Sequence, residues 1–319
     1  MTETSRRWYV TFHGGDAKHA LNNIHAYTRD GAEIGTALAK QSLPKGVDLR
    51  ELRGFSFGPD GNLYVVNAYR DYSQVLRFHG RPNTDGQHEF IDVFVEHRAA
   101  NPGLLHPFHA AFAPDGNLYV PSQDTSLVSR FYGPAAAEAP PGSPMPTPPA
   151  LHALPSHALR PGTFVPAARH RDDGLKEVRH VLFDSDGHLY VADRGADSVK
   201  HYDGESGKLL RTIAARVIDK PIHLLLTPDA THLLIGSAGT DAVVAYDRTV
   251  HRVAPFIAPR AGGLREPAGM AYGDDAKLYV ASRGSNQILR YDADGQPDPT
   301  PFLDDLPDHP EFLMLVGES

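Results

Sequence analysis

The chain has 319 residues, a formal net charge of -8, 41% hydrophobic and 22% charged residues, and no cysteine. That apolar share supplies a large core and excludes global disorder, and an acidic balance with scattered Lys and Arg excludes a nucleic-acid footprint or a polybasic membrane patch. With no disulfide or thiolate possible, no run of 18 apolar residues and no apolar signal core in MTETSRRWYV, the expectation is a soluble cytoplasmic protein.

In chain order, the N-terminal RRWYVTF and NNIHAYTRDG read as two strands that lack a partner before them. Five copies of one pattern follow. RGFSFGPDGNLYVVNAYRDYSQVLRF starts at Arg53, FHAAFAPDGNLYVPSQDTSLVSRF at Phe108 and EVRHVLFDSDGHLYVADRGADSVKHYD at Glu177. IHLLLTPDATHLLIGSAGTDAVVAYD starts at Ile222 and AGMAYGDDAKLYVASRGSNQILRYD at Ala268. Each is an apolar run, a tight Asp-Gly or Asp-Ala turn, a second apolar run, a polar loop and a third alternating run, which is repeated hairpin chemistry. Taking Gly54, His109, His180, His223 and Gly269 as equivalent points, the spacings are 55, 71, 43 and 46 residues, against about 40–50 for a four-stranded propeller blade. The long interval contains nine prolines between Pro134 and Pro161, so that stretch is expected as a loop between third and fourth strands, a covering or interaction segment or a plain insertion. The C-terminal PEFLMLVGES supplies the first strand that the N-terminus lacks. The expected fold is therefore all-β: a single-domain six-bladed β-propeller spanning 1–319, closed by N-terminal strands and a C-terminal inner strand.

The PDGNLYV and LRY cadence resembles the NHL-repeat and related six-bladed propellers, a group that includes binding scaffolds, gluconolactonase-like hydrolases, strictosidine-synthase-like proteins and the peptidyl-amidoglycolate lyase.

In such a ring the first strand of each blade lines the channel, and function gathers in the loops at the end where those strands begin. At that point the six blades read Gly54, His109, His180, His223, Gly269 and either Glu311 or Phe312. Three histidines at equivalent places on consecutive blades are the candidate ligands of a divalent metal, zinc being the first choice for imidazole donors with one open position. The glycines opposite them are expected to leave room for metal and substrate, and His106 and His309 are the substitutes if the register slips by a few residues. The loop after the second strand places His13, Asn67, Tyr69, Gln123, Asp124, Asp193, Arg194, Ser282 and Arg283 on the same end. Arg194 and Arg283 suit an oxyanion, a salt bridge between blades being the alternative. Tyr69 and His13 can exchange protons as general acid or base.

The function expected from these residues is a metal-dependent lyase, hydrolase or isomerase acting on a small oxygen-bearing molecule. The peptidyl-amidoglycolate lyase is similar in its three-histidine zinc site with arginine and tyrosine nearby, and His109, His180 and His223 match its pattern of a histidine opening an inner strand. This chain departs from that family in having no cysteine and in carrying the histidines on successive blades. The Glu, Asn and Asp cation site of the lactonases finds no counterpart at the inner-strand starts. A strictosidine-synthase-like condensation would require Glu311 in the channel. The non-enzymatic alternative is a platform for a protein partner, engaged through the Pro-rich loop.

Overall fold

The computed structural model describes residues 6–14, 21–69, 73–98, 101–155 and 159–317. Its strands form six antiparallel sheets arranged as a propeller. The inner strands are Leu52–Phe57, Ala111–Phe112, Val178–Phe183, Pro221–Leu226, Pro267–Tyr272 and Pro310–Val316 for blades 1 to 6. Blade 6 joins the two ends of the described chain: Pro310–Val316 pairs antiparallel with Arg7–Phe12, which pairs with His25–Tyr27 and then Glu33–Thr36. Blade 5 has three strands and only isolated bridges, Ile288 to Leu303 and Tyr291 to Pro297, where a fourth would lie. Pro297, Pro299 and Pro301 in that segment cannot donate to a ladder.

Local chemistry explains the repetition. In blades 1 and 2 the Asp of the PDGN turn accepts from the Asn two residues later, as Asp60 does from Asn62 and Asp115 from Asn117; this Asx geometry turns the chain from first to second strand. At the end of the second strand, Asn67, Asp193, Ser237 and Ser282 accept backbone N–H bonds from Arg50, Lys176, Asp219 and Arg265. Each thereby fixes the loop that leads into its own blade's inner strand. Asp193 is thus structural, its carboxylate buried and spent on the Lys176 and Glu177 amides.

The core is six layers, each between two adjacent blades. Tyr64, Val66, Leu118 and Val120 fill the space between blades 1 and 2, and Tyr190, Val199, Leu224 and Ile235 that between blades 3 and 4. The Pro-rich stretch is held against its own propeller. Arg130 donates to the Pro146 carbonyl, the Ala150 amide donates to Ser206 O in blade 3, and Leu151 is fully buried. Because it joins the third and fourth strands, it lies at the end away from the inner-strand starts, so it does not cover the mouth; residues 156–158 of the stretch fall outside the described residues. No described helix is long and apolar enough to cross a membrane.

Candidate functional site at the channel mouth

One irregularity recurs at the start of every inner strand. In blade 3 Val178 pairs with Asp193 and Val181 with Val191, three residues against two, so one extra residue is inserted at Arg179–His180. The same shift falls at Arg53–Gly54, Ile222–His223 and Ala268–Gly269. In blade 2 it lies between the Pro107–Ser122 and Ala111–Tyr119 pairs. In blade 6, Phe312 pairs with Thr11 and Pro310 with Phe12, which settles the ambiguous register: the bulged pair is Glu311–Phe312. A bulge re-aims side chains and is favoured beside functional sites. Here it produces two rings of six residues, one above the other.

The deeper ring is Gly54, His109, His180, His223, Gly269 and Phe312. The three imidazoles come together on the axis, His109 and His180 with centroids 4.0 Å apart and His180 and His223 4.1 Å apart. They sit tilted against one another, however, at interplanar angles of 34° and 44°, and they are not among the groups whose ligand atoms all lie within 4.8 Å of one another. The expected cage is therefore a stack in this structure, and a shared ion requires at least one ring to turn. The space expected opposite the histidines is filled. Phe312 packs at 5.3 Å from both His109 and His223, and the glycines are there for close approach: a Cβ on Gly54 would lie 2.4 Å from His109 Cδ2, and one on Gly269 2.7 Å from Phe312 Cα. Burial without an anionic partner pushes His109 down to about 3 and His180 and His223 well below the usual histidine range. All three are neutral at pH 7. Their Nδ1 atoms, and Nε2 of His223, are buried without a hydrogen-bond partner.

The upper ring is Arg53, Phe108, Arg179, Ile222, Ala268 and Glu311, and it carries the charge. Arg53 Nη1 donates to Glu311 Oε1 at 2.8 Å, and Arg283 Nε lies 3.1 Å from the same oxygen. Arg179 Nη2 donates to Glu177 Oε1 at 2.7 Å, and Arg194 Nη1 donates to both oxygens of Glu177 at 2.9 and 2.8 Å. Arg283 thus takes the alternative of a bridge between blades, linking 5 and 6, whereas Arg194 pairs with Glu177 inside its own blade 3. Burial pushes Arg179 down to about 10 against the pull of Glu177. Its guanidinium sits 5.2 Å above the Phe108 ring.

Two histidines border this layer. His13 Nε2 lies 3.3 Å from Arg53 Nη2; a guanidinium only donates, so Nε2 accepts. Burial and then Arg53 lower its pKa. His106 has Nδ1 3.5 Å from Asp124, Nε2 buried without a partner, and a pKa lowered by burial and the charge of Arg53. His309 is turned to the Arg283 carbonyl and Asn286 Oδ1. Tyr69 lies beneath the Arg50 guanidinium, 5.4 Å from its carbon to the ring centroid. Arg53 and Arg179 are the residues that sequence reasoning missed. Their signal was present, since each directly precedes a member of the deeper ring in the repeat.

These groups leave buried polar atoms unspent: Arg53 Nε, Arg179 Nη1, His106 Nε2 and Glu311 Oε2 have no hydrogen-bond partner among the described residues. Buried polar atoms are normally satisfied, so such a concentration marks a place where a ligand or water completes the network. A cavity of about 610 Å³ lined by Leu234, Ala254, Phe256 and Tyr272 lies at the opposite end between blades 4 and 5, away from this chemistry.

No protein-family model and no curated protein sequence matches the chain. Among solved structures it is similar to a catalytically inactive variant of virginiamycin B lyase from Staphylococcus aureus with quinupristin, at 13% identity and TM-score 0.54, covering 83% of this chain and 77% of that one. It is also similar to a candidate 6-phosphogluconolactonase from Bacteroides uniformis, at 12% identity and TM-score 0.60, covering 98% and 100%. A nidogen/laminin complex matches at 13% identity and TM-score 0.62, covering 98% and 99%. At these identities the likeness establishes the propeller alone, a fold that these proteins put to both catalytic and binding use.

Proposed function

We propose that the channel mouth is the active site of a lyase or hydrolase acting on a small oxygen-bearing molecule with an anionic group. One observation supports this reading above all: a guanidinium and carboxylate network with buried polar atoms that have no hydrogen-bond partner among the described residues, next to a neutral histidine whose Nε2 is likewise unpartnered among them. Arg53 and Arg179 bind the oxyanion of the substrate and of the transition state, their forks held in place by Glu311 and Glu177. Phe108, Ile222 and Ala268, in the same ring, give the apolar part of the molecule a wall. His106 takes the proton at Nε2, and the Asp124 carboxylate, 3.5 Å from Nδ1, steadies the positive charge that forms on the ring. His13 is the second acid or base, in contact with Arg53. A cytoplasmic setting belongs to the same proposal, in keeping with a chain free of cysteine.

The test is substrate depletion, followed by NMR, in a mixture of hydroxy acids, esters and lactones. The wild type consumes a carboxylated component, His106→Gln slows that turnover by about 10²–10⁴-fold, and Arg179→Met raises KM. Because His106 acts in its neutral form, activity falls on the acid side once pH drops through its lowered pKa. Binding of a component without turnover by any form would sink the enzyme reading and leave a binding platform, with a protein partner on the Pro-rich strap as its remaining use.

A second reading keeps a metal on His109, His180 and His223, and the unpartnered nitrogens of that stack favour it. The ion would supply Lewis acidity beneath the arginine layer. It predicts bound zinc that His180→Leu removes.

A further inference from the structure

Blade 3 departs from its own repeat at three places that meet in space. Where blades 1, 2 and 5 have Gly58, Ala113 and Gly273, it has Asp184. Where they have Asn62, Asn117 and Lys277, it has His188, and where they have Arg77, Arg130 and Arg290 in the third strand, it has His201. The three substitutions replace a small residue, an Asn or Lys, and an Arg with metal-ligating residues. One ligand atom from each of Asp184, His188 and His201 lies within 4.8 Å of the other two, the one group of this kind among the described residues.

We propose that Asp184, His188 and His201 form a site for a divalent transition-metal ion at the end of the propeller opposite the channel mouth, with zinc the best match to two imidazoles and one carboxylate. The surroundings are those of a ligand set held in readiness. Asp184 is buried, its Oδ1 accepts the Asp186 and His188 amides, and Arg248 Nη2 donates to Oδ2 at 2.6 Å. Such outer contacts hold a ligating carboxylate in a fixed orientation. His201 is fixed by Tyr190, stacked on it at 4.1 Å with planes 4° apart, and its Nε2 is buried without a partner. His188 Nδ1 lies 3.8 Å from Asp184 Oδ2, and its ring meets His201 edge-on at 5.2 Å. The set borders a cavity of about 380 Å³ shared with Ala230, Tyr246 and His251 of blade 4. Three protein ligands with space beside them are the pattern of an exchangeable or catalytic zinc rather than a closed structural one.

The test titrates the EDTA-treated full chain with Zn2+ by calorimetry and with Co2+ by visible absorption. One equivalent of each is expected, with cobalt bands of low-coordinate type. His188→Asn and His201→Arg install the residues that other blades carry at these positions, so the sheet has a template for them. Removing a ligand costs at least about the 100-fold that the loss of an outer contact can cost, and both variants are expected to show that loss with unchanged thermal unfolding of the metal-free form. Zinc binding that survives both variants overturns the proposal, as does binding that His180→Leu alone abolishes, which would assign the ion to the axial stack instead. A metal-free wild type that takes up neither ion overturns it as well.

Discussion

Two histidine clusters in this molecule were built by opposite routes. His109, His180 and His223 occupy the same position of three successive repeats and meet on the axis as a stack. Asp184, His188 and His201 occupy three unlike positions of one blade, yet theirs are the ligand atoms that cluster. Equivalence in a repeat fixes where a Cα lies relative to the axis, since the ring copies backbone geometry from blade to blade. It does not fix how side chains turn, and identical residues arriving in identical backbone settings are carried around the axis into a fan. Convergence on one point asks for donors that approach from different directions, as a turn residue and a third-strand residue do.

The sharpest way to separate the clusters is acid. Each axial ring is protonated more readily in the unfolded chain than in the fold, so the stability intact near pH 7 falls away below about pH 6.5. For His109 it keeps falling to about pH 3. One group in this position costs about 1.4 kcal/mol per pH unit, so the axial three give a slope of about 4 kcal/mol per unit. His201, partly exposed and pushed down to about 4 by burial and by His188, adds a smaller, solvent-screened contribution of the same sign. Urea unfolding as a function of pH should therefore flatten clearly in His180→Leu, which removes a fully buried ring, and less in His201→Arg, which removes a partly exposed one. An unchanged slope in the first would mean that the axial rings are not held neutral.

Next in size is the layer above the stack. Glu311→Leu removes the carboxylate that Arg53 and Arg283 share, and with both Arg53 and Glu311 buried the loss should be about 3–5 kcal/mol in urea unfolding. A smaller cost would show that the arginines find other partners and that the mouth network is looser than its geometry. Smallest is Gly54→Ala. The added methyl meets His109 and should cost about 1–3 kcal/mol by overpacking, with the protonation of His109 shifted while Asp184, His188 and His201 bind zinc as before.

The blade count, the strand boundaries and the closure by N- and C-terminal strands were legible in the sequence, because hairpin turns and alternating apolar residues are local signals repeated many times. The positions on the channel were legible for the same reason. What the repeat hid was the bulge. Without it Glu311 and Phe312 compete for one place; with it they belong to different rings, one charged and one aromatic. It also hid the filling of the axis, since the glycines that read as open space are what allow His109 and Phe312 to press in. Arg53 and Arg179 were passed over as neighbours of more conspicuous residues, although their period is the same. The zinc-type cluster escaped because its signal is a break in the repeat rather than a repetition.

The pairing of Pro310–Val316 with Arg7–Phe12 has a further consequence for biogenesis. Translation produces residues 310–316 after every other described strand, so until they emerge blade 6 stands with a bare inner edge, inviting mispairing with any passing strand. The ring becomes a ring only when this arc is in place, and until then a second nascent copy finds an edge to pair with.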